Sequence, residues 1–96
     1  MKIELNKFGT TLTSRDGGRE ALAAFQPSLS MINNDEVVEI NFAGVNTFSP
    51  SWGDDFLTPL IKMFGQRLIL VNTDNLSVKA TLDLLESIHK FKFIRK

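Results

Sequence analysis

Hydrophobic positions along this chain change period several times, and each change marks an element. Ile3 and Leu5 alternate with Lys2 and Glu4, the period of a half-buried strand. Gly9 supplies a turn and Thr10–Leu12 can return beside it, so residues 1–12 are predicted as an antiparallel hairpin. Leu22, Phe25, Leu29 and Ile32 then recur at helical spacing, which predicts a first helix over about Arg15 to Ile32 with Ser14 as its N-cap. Gly17 and Gly18 weaken its first turn by about 1 kcal/mol each relative to alanine. They point either to a close backbone approach or to a loose helix start. Pro27 removes one helical hydrogen bond and predicts a kink or restart near Gln26, and Asn33, Asn34 and Asp35 form a terminating turn cluster.

The second strand runs from Val37 to Phe42, with Val38, Ile40 and Phe42 on one face and Val37, Glu39 and Asn41 on the other. Ala43-Gly44-Val45 turns the chain out of the sheet. A second helix over about Pro50 to Phe64 carries Phe56, Leu60 and Phe64 at i, i+4 and i+8 and ends at Gly65. Its apolar stripe continues through Thr58-Pro59, which favours one kinked helix over two. Leu68 to Val71 is uninterrupted apolar sequence and suits a parallel strand covered on both faces. A third helix, about Leu76 to His89, turns Val78, Leu82 and Leu85 to one side. The last segment, KFKFIRK, fits either an edge strand or a loose tail. The order β-β-α-β-α-β-α predicts an α/β fold: a mixed sheet, with an N-terminal hairpin beside parallel strands, and about three helices packed on it.

Composition narrows the functions open to such a fold. Ninety-six residues make one domain, residues 1–96, and 43% apolar with 23% charged residues is an ordinary globular balance. Formal net charge is zero, which argues against nucleic acid as the main partner. The absence of cysteine excludes disulfides, thiolate zinc sites and cysteine nucleophiles, and the single His89 leaves little for a metal site. No metal and no cofactor are expected. No apolar run approaches the roughly 20 residues that span a bilayer, and the first residues carry no signal-peptide core, so no membrane association and a cytoplasmic location are expected.

Candidate chemistry concentrates where the second strand hands over to the second helix, in VVEINFAGVNTFSPSWGDDFL from Val37 to Leu57. Unpaired amides at a helix start, beside the Ser49 and Ser51 hydroxyls, can bind an anion, accept a phosphoryl group or dock a partner. Ser49 also reads as an N-cap, Pro50 as the first helical residue and Ser51 as an ordinary second one. Trp52 is either an exposed binding aromatic or a core residue packed on the hairpin. Asp54 and Asp55 read as solvated first-turn acids that favour the helix dipole and point about 100° apart. Arg15 and Arg19, four residues apart, can clamp an anion or form a solvated face in which Arg15 pairs with Glu20 or another acid. His89 near a helix C-terminus serves the dipole, and Lys90, Lys92, Arg95 and Lys96 make the tail basic. No nucleophile–base pair, metal cluster or glycine-rich phosphate loop is evident, so an enzyme is not expected.

Ile40-Asn41-Phe42-Ala43-Gly44-Val45, then Phe48-Ser49-Pro50-Ser51, then Asp54-Asp55-Phe56-Leu57 together resemble the STAS-like domains, relatives of the anti-sigma-factor antagonists and of the cytoplasmic domains of sulfate transporters. Ser14, Arg15, Gly18 and Arg19, with Leu68 to Asn72, resemble a bacterial STAS-like family of unassigned function. The resemblance covers roughly Gly9 to Glu86. It implies a regulatory domain that binds a protein partner without catalysis, the partner being an ATPase of the histidine-kinase-like type. It also implies a phosphorylation switch at the second helix start, where Ser51 falls on the phosphorylated position and Ser49 lies beside it. Two features depart from the family pattern: the usual Asp-Ser-Ser-Gly stands here as Ser49-Pro50-Ser51-Trp52, and the strand aspartate as Asn41. The expected partner surface is the loop from Val45 to Ser51 with Phe48, Trp52, Asp54 and Asp55. The alternative is a small-ligand sensor binding a nucleotide or other anion at the second helix N-terminus beside Arg15 and Arg19.

Overall fold

A computed structural model describes all residues, Met1–Lys96. Strand β1 is Lys2–Glu4, followed by a 3-10 turn at Leu5–Phe8 and strand β2 at Thr11–Leu12. Helix α1, Arg15–Leu29, leads to β3, Val38–Asn41, and then to β4, Thr47–Phe48. Helix α2, Pro50–Phe64, leads to β5, Leu68–Val71; α3, Leu76–His89, leads to β6, Ile94–Arg95. The α/β class with three helices is as the sequence indicates.

The N-terminal hairpin does not form. β1 pairs parallel with β3, Lys2 opposite Glu39, and β2 pairs parallel with β4, Leu12 opposite Phe48. The chain does not return beside itself at Gly9 but detours through the 3-10 turn and continues in the same direction. Burial explains the detour. It places Leu5 and Leu12 in the core and turns the Phe8 ring onto Phe25, Trp52 and Phe56 at 5.7, 6.1 and 6.3 Å. Two parallel sheets result, one of order β1-β3-β5-β6 and one of β2-β4.

The strand order of the larger sheet runs in one direction without reversal. Right-handed crossovers that never reverse lay every helix on the same face. Burial agrees: Val38, Ile40, Leu68 and Leu70 are buried, while Glu39, Asn41, Ile69 and Val71 between them are half-buried. The expectation that Leu68–Val71 is covered on both faces is therefore not met, since Ile69 and Val71 look away from the helices.

α1 ends at Leu29, short of Ile32, and runs through Pro27 without a restart. α2 is one helix through Pro59, capped by Gly65 at φ 55°. Gly18 marks a close approach of two helices: a Cβ there would lie 2.4 Å from the Trp52 carbonyl oxygen. The C-terminal segment is tied down as an edge strand. Phe93 is buried, its N–H donates to Glu86 Oε2 at 2.9 Å, and Arg95 reaches Asp83 at 2.9 Å. No helix is long and apolar enough to cross a membrane.

Candidate functional site

α2 lies between α1 and α3, and its N-terminus is built largely from backbone. The Ser49 hydroxyl accepts from Trp52 N at 3.2 Å and donates to the Thr13 carbonyl at 2.7 Å. Ser49 N–H donates to Leu12 O, Phe48 N–H to Ser77 Oγ and Gly53 N–H to Ser49 O. Pro50 has no N–H, so Ser51 keeps the one amide of this junction without a partner in the chain. The expected convergence of free amides is thus reduced to a single group. Ser49 is committed to capping.

Phe48 and Trp52 are core residues, 1% and 2% exposed. Trp52 stacks obliquely on Phe56 at 4.9 Å and on Phe48 at 5.7 Å, so neither ring presents a surface to a partner. What remains open at the rim is Asn46, Thr47 and Pro50, with Ser51 half-buried.

Asp54 and Asp55 are the fifth and sixth residues of α2, one turn further in than a first-turn reading places them. They are not solvated acids. Arg15 from α1 donates to Asp55 at 2.6 Å and to Asp54 at 3.3 Å, its guanidinium spanning the angle between the two side chains. Arg19 stands 3.6 Å from Asp55 and 3.4 Å from Asp16. The two arginines expected to clamp an anion are therefore already partnered by carboxylates, and Arg15 pairs with α2 instead of Glu20. Hydrogen bonds to Asp55 and then Asp54 raise the Arg15 pKa above its ordinary value.

Asp54 also reaches α3. Its Oδ1 lies 2.7 Å from His89 Nε2 and accepts from the Thr58 hydroxyl at 2.9 Å. Burial pushes its carboxyl pKa up, but hydrogen bonds from Thr58, His89 and Arg15 outweigh that and hold it below the usual carboxylate value. His89, expected to serve the helix dipole, is instead a tie to α2, with its ring stacked on Phe91 at 5.4 Å. No sequence period could have paired residues 35 apart; only the packing of α3 beside α2 does so.

Arg15, Pro50, Ser51, Asp54, Leu85, Ile88 and His89 line an open pocket of about 130 Å³. Ligand pockets for drug-sized molecules run to about 300–1,000 Å³, so this one is too small to enclose a nucleotide. Ser51, His89 and Asp54 share the pocket, yet the Ser51 hydroxyl makes no hydrogen bond to His89, whose Nε2 is taken by Asp54. A base-activated serine would need that bond. Sequence reasoning missed the apolar rim of the pocket. Ile88 is 58% exposed, and Leu84 and Leu76 on the same helix are 43% and 81% exposed.

No protein-family model matches this chain, and neither a curated protein nor a solved structure matches it.

Proposed function

We propose that this domain is a non-catalytic regulatory module that docks a protein partner through the rim joining the start of α2 to α3. One observation carries the reading. Exposed Ile88 lines the small pocket that contains Ser51, and exposed Leu84 lies one turn from it on α3, so the two side chains form one contiguous apolar strip beside the pocket, and contiguous exposed apolar surface marks interaction sites. The recognition surface in this reading is Pro50, Ser51, Leu84 and Ile88. It replaces the buried Phe48 and Trp52.

The resemblance to anti-sigma-factor antagonists supplies the partner class, an ATPase of the histidine-kinase-like type, and the control, phosphorylation of Ser51. The Ser51 hydroxyl is half-buried and makes no hydrogen bond in the chain, so it is free to react. A phosphoryl group there would add close to two negative charges beside Arg15 and His89, against the repulsion of Asp54. The test is affinity capture from the native host with Ser51→Ala, Ser51→Asp and Ile88→Asp forms side by side. Ser51→Ala should retain the partner, and Ser51→Asp and Ile88→Asp should each lose it. Equal recovery of every protein by all three forms refutes the reading.

A further inference from the structure

The larger sheet keeps one face free of helices, and that face is chemically divided. Across β5 and β6 it carries Ile69, Val71 and Ile94, and across β3 Glu39 and Asn41, all half-buried. Across β1 it carries Lys2, exposed, and Glu4, half-buried, and neither has an ion-pair partner within the chain. Parallel sheets almost always have both faces covered, and here the apolar run Leu68–Val71 supplies side chains for a second cover that the chain does not provide.

The register identifies the cover. Lys2, Glu39, Ile69 and Ile94 form one row across the sheet, and Glu4, Asn41 and Val71 the next. A twofold axis placed perpendicular to the strands and midway between these rows lays each row of one copy over the other row of a second copy. Lys2 then meets Glu4 twice, Ile69 meets Val71 twice, and Glu39 meets the uncharged Asn41. Unlike charges thus oppose at Lys2 and Glu4 and apolar groups at Ile69 and Val71, the self-complementarity that a symmetric contact requires, while Ile94 falls opposite the terminal Lys96. An axis along the strands would instead press Lys2 onto Ile94 and Glu39 onto Ile69, setting charged groups on apolar ones.

We propose that this face is the interface of a symmetric homodimer formed by two copies of this chain. Four strands about 4.8 Å apart and about three residues long offer a patch of only a few hundred Å². Stable complexes bury about 800 Å² per partner, so the dimer is weak, with Kd on the order of 10⁻⁵–10⁻³ M. The dimer face lies opposite the helix layer and leaves the α2–α3 rim open.

Sedimentation of the full chain tests this, from about 10 µM to about 1 mM, a span chosen to bracket that Kd. Wild type should pass from monomer to dimer. Lys2→Glu and Glu4→Lys should each weaken association about tenfold by opposing like charges. The combined Lys2→Glu/Glu4→Lys chain, with unlike charges opposed again, should recover the wild-type Kd. Thermal midpoints within a few degrees of wild type confirm that each variant folds. A wild type still monomeric at the highest concentration, which would assign the cover to a different chain, overturns the proposal. So does unchanged association in both single variants, or a combined variant that fails to recover.

Discussion

Replacing Gly18 with alanine sets two opposed effects against each other at one atom. On propensity alone the change is favourable, because glycine inside a helix costs about 1 kcal/mol relative to alanine. In this fold the new methyl would lie 2.4 Å from the Trp52 carbonyl oxygen and 3.1 Å from its carbonyl carbon. Both are backbone atoms of α2 and cannot swing aside as a side chain can. Ordinary carbon contacts sit near 3.5 Å, so α1 must retreat by about 1 Å, which forfeits a quarter to a half of the dispersion energy along the contact. Ala21 and Leu29, buried on the same side of α1, would lose packing with it. Overpacking of this kind costs about 1–3 kcal/mol, and rigid backbone on one side places it at the upper end. The net is a loss of about 2 kcal/mol, or a fall of about 8–16 °C in midpoint for a domain of this size. Urea unfolding followed by fluorescence reads the effect at its source, since Trp52 is the single tryptophan. Gly17→Ala provides the contrast. Its methyl would meet the Ser14 hydroxyl at 2.8 Å and Trp52 Nε1 at 3.2 Å, longer contacts than the one at Gly18 and with side chains instead of backbone, and should cost less. A Gly18→Ala protein as stable as wild type, or more so, would refute the close approach of α1 to α2.

Trp52→Ala should cost about 3–5 kcal/mol by emptying a fully packed site, measured by urea denaturation; a midpoint near wild type would place the ring at the surface. Because the Asp54 pKa is lowered in the folded state, its contribution to stability is present above the unfolded carboxylate pKa and is lost as pH falls through the lower folded value. Midpoints measured from about pH 6 down to about pH 2 should therefore fall less steeply in Asp54→Asn than in wild type; parallel curves contradict the assignment. Glu86→Ala deprives the Phe93 N–H of its acceptor and Arg95 of a carboxylate at 3.3 Å. It should cost about 1–3 kcal/mol and speed hydrogen exchange at Phe93 and Lys96; unchanged exchange there would mean the tail is held by its strand pairing alone.

The helices were legible in the sequence because each carries its own punctuation. Ser14 and Ser49 read as N-caps and do cap α1 and α2 through their side chains, and Gly65 ends α2; Asn75 caps α3 in the same way, a role the structure adds. The position of β3 was legible from the alternation at Val38, Ile40 and Phe42, whereas β4, Thr47–Phe48, falls inside the stretch from Val45 to Ser51 that read as a loop, two residues being too few to show a period. Strand direction was not legible. Gly9 is a reasonable hairpin residue, and only the burial of Leu5 and Leu12, with Phe8 packed on Phe25, Trp52 and Phe56, selects the parallel course. The site was legible as a place but not as a network. Its residues come from three helices, and the pairing of Arg15 with Asp54 and Asp55, and of His89 with Asp54, spans separations of 35–40 residues. Helical spacing speaks only to neighbours within a turn or two. Trp52 was ambiguous for a related reason: its partners Phe8, Phe48 and Phe56 lie on three different elements.

The unidirectional strand order accounts for both proposed surfaces at once. With every crossover falling on one side, α2 is flanked by a helix on each side. A carboxylate on its exposed flank is then within reach of both neighbours, which is why Asp54 collects Arg15 from α1 and His89 from α3. Those ties narrow the cleft to a pocket of about 130 Å³, beside which Leu84 and Ile88 of α3 stand exposed. The same order strips the far side of the sheet of helices, so the side chains that would face them in a doubly covered sheet, Ile69 and Val71, must find a partner elsewhere. Had β5 been inserted on the other side of β1, its connection would have crossed the opposite face and covered that surface within one chain. A single topological choice therefore gives the domain a rim built from side chains on one side and a bare sheet on the other. The two surfaces face opposite ways and can be occupied independently.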